Sequence, residues 1–169
     1  TRRLAVLYDQ VGDFTKADEE YAKVLANQPK DADLLNDMGY SYYSRGDWKS
    51  AEEHLQQAVE MNPQHKRAWI NLGMSIAQQE RYPESMRAFR QAVPEGEALC
   101  NLGFVLAAQG KKEKAMEAYG RAADLQPGLR LAQAAVNRYS NPEPIKRETP
   151  VSKLKGEQRV QAPLPTAIS

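Results

Sequence analysis

An all-α solenoid, made by stacking antiparallel helix pairs, is the fold this sequence predicts. Three observations carry the expectation. First, the chain repeats itself. Counted back from Pro29, Pro63 and Pro127, an alanine stands twelve residues earlier (Ala17, Ala51, Ala115), a bulky residue eight earlier (Tyr21, Leu55, Tyr119), and a tiny one twenty-four earlier (Ala5, Gly39, Gly103). Pro29 and Pro63 lie thirty-four residues apart, a spacing typical of stacked repeat architectures. Second, apolar residues between these markers recur at i, i+3, i+4 and i+7, the single stripe of an amphipathic helix. Third, glycine and proline punctuate the stripes where helices would have to stop.

Taken in order, the first unit covers about 1–31. Thr1 is expected inside its first helix, so the start reads as a cut end with room for an upstream repeat. The second unit (32–65) buries Leu35, Met38, Gly39 and Tyr42 from its first helix. In the third (66–95) the same stripe is Trp69, Leu72, Gly73 and Ile76, and in the fourth (96–129) it is Leu99, Leu102, Gly103 and Leu106. A glycine inside a helix costs roughly 1 kcal/mol against alanine. Its recurrence implies a close crossing by the second helix, with Ala51 or Ala115 expected opposite. Gly12, Gly46 and Gly110 end first helices; the prolines end second helices. The third unit is four residues short, from a truncated second helix or loop near Pro94 and Gly96. Either the superhelix changes curvature there or a loop deletion is tolerated. A capping helix over 130–139 would use Leu129, Ala132, Ala135 and Val136. Residues 140–169 hold half of the ten prolines and read as an extended tail or linker of polyproline II character.

These markers together resemble the tetratricopeptide repeat family over residues 1–129. Its pattern of Trp, Leu-Gly, Tyr, Ala, Phe and Pro is met in the third unit by Trp69, Leu72-Gly73, Ser85 in the alanine slot and Phe89. The third and fourth units also carry a weak likeness to bacterial tetratricopeptide lipoproteins of pilus assembly. The resemblance implies about four helix-turn-helix repeats and a non-catalytic scaffold or adaptor, with a structural component of a pilus or secretion apparatus as the alternative.

Composition narrows the function. Lys and Arg (23) balance Asp and Glu (22), so no strong field attracts nucleic acid or an anionic membrane. No apolar run approaches the length of a membrane span, and the mean hydropathy is −0.69. One cysteine permits any compartment; the chain is expected to be soluble, cytoplasmic or periplasmic. No phosphate loop, nucleophile elbow or Cys-x-x-Cys pair is present. His54 and His65 are too far apart for a helical metal pair and are expected on the surface. The expectation is a protein without catalysis, cofactor or metal.

The resemblance places a partner in a concave groove lined by the first helices. Carried over residue by residue, the groove comprises Asn36, Asp37, Tyr40 and Tyr43; then Arg67, Ile70, Asn71, Met74 and Gln78; then Glu97, Cys100, Asn101, Phe104 and Ala107. Asparagine amides can donate to and accept from a peptide backbone together, as some family members use them; otherwise they bridge neighbouring helices. Tyr40, Met74 and Phe104 hold equivalent places and form either an apolar binding stripe or packing against the next repeat. The Lys-Asn-Asn-Lys-Arg clamp that some relatives use for a carboxylate is missing in both registers. Asn36, Tyr40, Asn71, Glu97 and Asn101 stand in one; Arg2, Val6, Asp37, Arg67 and Asn71 stand in the other. The tail, anchored by Val151, Leu154, Val160 and Leu164, is expected to lie along a groove or flank of its own or a neighbouring molecule, giving self-association.

Overall fold

The computed structural model describes residues 1–140; the proline-rich tail lies outside the described residues. The described residues form nine α-helices and no strand. The four first helices are α1 (Arg2–Gln10), α3 (Ala32–Ser44), α5 (Lys66–Gln78) and α7 (Glu95–Ala108). Their partners are α2 (Phe14–Asn27), α4 (Trp48–Met61), α6 (Tyr82–Arg90) and α8 (Lys112–Leu125), and α9 (Arg130–Ser140) follows. Thr1 stands outside α1, as its N-cap, and accepts a hydrogen bond from the Leu4 amide.

Helix ends follow local chemistry. Asp13, Asp31 and Asp47 cap α2, α3 and α4 by accepting amide hydrogen bonds in the first turn. Gly12, Gly46 and Gly110 follow first helices in the left-handed region, with φ of 78°, 81° and 75°. In the third unit that place is held by Glu80, at φ 63°. Asn27, Met61 and Leu125 end second helices two residues before a proline.

The missing four residues come out of the helix. α6 has 9 residues where α2, α4 and α8 each have 14, and α7 starts one residue earlier in its register than α3 and α5, which leaves a net deficit of four. Gln91–Val93 then turn the chain through short backbone bonds onto Ala88 and Phe89, and Pro94 caps α7.

The helical glycines make room for the marker eight residues before the proline, not for the alanine. A methyl group on Gly39 would overlap Leu55; on Gly73 it would lie 2.5 Å from the Phe89 ring, and on Gly103 3.0 Å from Tyr119. Ala51 and Ala115 are fully buried but are not what the glycines face. The bulky ring or leucine reaches further across the crossing than an alanine methyl can.

The core divides along the stack into three clusters. One joins Ala5, Ala17 and Tyr21 to Leu34 and Met38. The next centres on Leu55, Val59 and Leu72, and the last on Phe89, Leu99, Leu106 and Tyr119 and on Ala132 of α9. The first helices also touch one another in series, α1 to α3 to α5 to α7, whereas the second helices make no comparable row. The first-helix row is therefore the tighter, inner side of the stack. No helix among the described residues is long and apolar enough to cross a membrane.

Candidate functional site: the inner face of the stack

The inner face is knitted together by polar side chains before any partner arrives. Arg2 Nε donates to Asp37 Oδ2 at 2.7 Å, Asn36 Nδ2 to Asp37 Oδ1 at 3.4 Å, and Asn71 Nδ2 to Asn36 Oδ1 at 3.0 Å. This chain crosses three units. Asn36 is 2% exposed and Asn71 9%, so their amides serve as bridges between neighbouring helices. Of the two uses open to asparagine here, these two residues take the structural one. Asn101 is half-buried.

Tyr43 and Gln78 form a second bridge. Gln78 Nε2 donates to the Tyr43 hydroxyl at 3.2 Å, and Gln109 Nε2 donates to Gln78 Oε1 at 3.3 Å. The Tyr43 ring stacks on Tyr40, with centroids 6.3 Å apart. Ile70 and Met74 are half-buried and pack against the core cluster of the third and fourth units. Met74 thus interrupts the apolar stripe. Tyr40 and Phe104 remain 55% and 57% exposed, and Arg67 is exposed.

Cys100 is buried, and burial together with the nearby Glu97 pushes its thiol up. A thiol kept protonated inside the core is a packing group. The two histidines are structural: His65 Nδ1 accepts from the Ala68 amide at 3.3 Å and so caps α5, while His54 stacks on Tyr42. His65 is mostly buried, correcting its expected surface placement. No group of metal-ligating residues occurs among the described residues.

Sequence reasoning missed the contribution of the first unit. Two adjoining hollows open between α1 and α3. One of about 510 Å³ is lined by Arg2, Arg3, Val6, Leu7, Gln10 and Asp37. The other, about 290 Å³, adds Asp9, Tyr21, Tyr40, Ser41 and Ser44. The repeat register could have found them, since Val6 and Gln10 stand where Tyr40 and Ser44 stand one unit later.

Comparison with known proteins decides the family. A tetratricopeptide repeat model matches residues 36–98, a second matches 96–129, and a model of YpiA-like C-terminal tetratricopeptide repeats matches 3–65. The chain belongs to the tetratricopeptide repeat family. Among curated proteins it is 28% identical over 92 residues to the type IV pilus assembly protein PilF of Pseudomonas aeruginosa, over 53% of this chain and 36% of that one. It is 34% identical over 128 residues to the human protein O-mannosyl-transferase TMTC1, over 73% of this chain and 14% of the transferase. The chain thus spans about a third and a seventh of the lengths of these two relatives. Crystal structures of MamA share the fold. One has a TM-score of 0.60 and 25% identity, covering 80% of this chain and 81% of that one; another scores 0.59. Repeats of this family form a scaffold for protein interaction.

Proposed function

We propose that this tetratricopeptide repeat chain is a non-catalytic adaptor that binds a peptide or helical segment of a partner along its inner face. The observation that carries the reading is the pair Tyr40 and Phe104. Both are aromatic, both are more than half exposed, and both occupy the same register position on first helices two units apart. Aromatic anchors of this kind supply much of the affinity at protein interfaces. Asn101 and Arg67 flank them with polar groups that can orient a backbone or a carboxylate. Asn36, Asp37, Tyr43, Asn71 and Gln78 hold the surface in shape, and Ile70 and Met74 form its apolar floor.

Tyr40→Ala and Phe104→Ala, singly and together, test this. Each should weaken partner capture by about 1–3 kcal/mol while helical content is unchanged. Charge reversal on second helices, such as Glu53→Lys, should leave capture intact. The opposite pattern would place the binding surface on the outer face. The likeness to PilF favours a second reading, a component of pilus assembly. Co-purification of the chain with pilus-assembly proteins would support it.

A further inference from the structure

The hollow of about 290 Å³ between α1 and α3 has a chemistry found at no other junction of the stack. Its lining includes Asp9 and Asp37. The corresponding pairs at the next two junctions are Tyr43 with Asn71 and Ala77 with Asn101. Smaller side chains also explain why space exists here. Val6 and Asp9 stand where the second unit has Tyr40 and Tyr43, and those rings stack on each other.

Asp9 is the informative residue. Its two carboxylate oxygens accept from the Tyr21 hydroxyl at 2.8 Å and the Ser41 hydroxyl at 2.5 Å. A carboxylate has about four acceptor positions, so each oxygen keeps one. The cations nearby have other partners: Arg2 pairs with Asp37 at 2.7 Å, and Arg45 with Asp18 at 2.8 and 2.6 Å. Arg45 reaches Asp9 only through Ser41, to which it donates at 2.7 Å. Among the described residues Asp9 forms no ion pair of its own, and Arg3 lines only the neighbouring hollow. The same hollow is lined by Val6 and the exposed Tyr40 ring, apolar groups of the kind a long aliphatic stem packs along while its charged head reaches a counter-ion. A cation beside a tyrosine face gains further attraction.

We propose that this hollow receives a lysine or arginine side chain of the bound segment, its stem against Val6 and Tyr40 and its charged head on Asp9. The inference rests on the inner face being the binding surface and names one specificity element of the partner: a basic residue that enters the first junction. Glutamate at that place would meet the Asp9 carboxylate, which has no ion pair of its own among the described residues, and be rejected.

A random linear-peptide library displayed on phage, panned against the full chain, tests it. Selected peptides should share one Lys or Arg. Replacing that residue by citrulline or norleucine should weaken binding about tenfold or more, the scale of a lost charge-assisted hydrogen bond. Asp9→Asn should reduce the affinity of the parent peptide similarly and abolish the difference between arginine and citrulline. The peptide substitutions use the unaltered protein, so the test survives a poorly folded Asp9→Asn. Peptides that need Tyr40 and Phe104 but tolerate citrulline would overturn the inference and leave the inner-face reading standing. Peptides indifferent to Tyr40→Ala, Phe104→Ala and Asp9→Asn would overturn both.

Discussion

At the scale of single residues, comparison between units shows which positions are strained. Ser85 fills the slot held elsewhere by Ala17, Ala51 and Ala115, and its hydroxyl is buried with no partner among the described residues. An unsatisfied buried hydroxyl costs about 1–3 kcal/mol. Ser85→Ala should therefore raise the thermal midpoint, with a gain of about 1 kcal/mol in chemical denaturation; a loss would mean the hydroxyl is satisfied. The glycines predict the opposite sign. Gly73→Ala would force the Phe89 ring to move, at a cost of about 1–3 kcal/mol against a gain of at most about 1 kcal/mol in helix propensity. Gly103→Ala, with more room beside Tyr119, should cost less. Equal effects of the two would sink the argument from crossing distance. The sequence marked these glycines as close approaches. It could not say that Leu55, Phe89 and Tyr119 are what approach, because the alanine and the bulky residue share one helix face.

At the scale of elements, periodicity and punctuation made the helix pairs legible. Gly46 and Gly110 sit where left-handed caps were expected, and α9 covers the last pair with Ala132 fully buried. The short third unit was legible as a deficit but not as a location. Loss from a loop and loss from a helix leave the same spacing, and only α6, at 9 residues, separates them. The inner face was least legible. A side chain's register says which way it points, not whether a neighbour has already used its hydrogen bonds, and Asn36 and Asn71 were used by each other. The caps carry a pH consequence. Lys16 hydrogen-bonds the Asp13 carboxylate and Ser50 that of Asp47, and both carboxyls are held below their ordinary value. A carboxyl depressed in the folded chain adds stability above its unfolded pKa and loses it as pH falls through the folded one. The thermal midpoint should thus be flat near neutrality and decline below about pH 4. For Asp13→Asn with Asp47→Asn, the acid-side decline should be shallower; an unchanged slope would assign it to other carboxylates.

At the scale of the whole molecule, a stack whose units touch only their neighbours has no single core to melt. Stability is the sum of unit terms and junction terms, and here the junctions differ. The cluster around α1–α3 has five buried residues, the middle one nine, and that of the third and fourth units with α9 eleven. Burial of apolar area is the main favourable term in folding, so the local opening energy should rise from α1 toward α8. Polar bridges offset this in part: Arg45 lies over the rings of Phe14 and Tyr42 at 4.8 and 4.4 Å while pairing with Asp18. That bridge ties α2 to α3, whereas α1 is tied on through the Arg2–Asp37 pair and the hydrogen bonds of Asp9 to Tyr21 and Ser41. Hydrogen exchange read by mass spectrometry should show amides of α1 exchanging first, then α2 and α3, with α7 and α8 slowest. Arg45→Ala should speed exchange in α2 and α3 more than in α7 and α8, because its contacts end at the second unit. Uniform exchange along the chain, or acceleration in α8 as large as in α2, would mean that the units open as one body and that junction terms outweigh differences between the clusters.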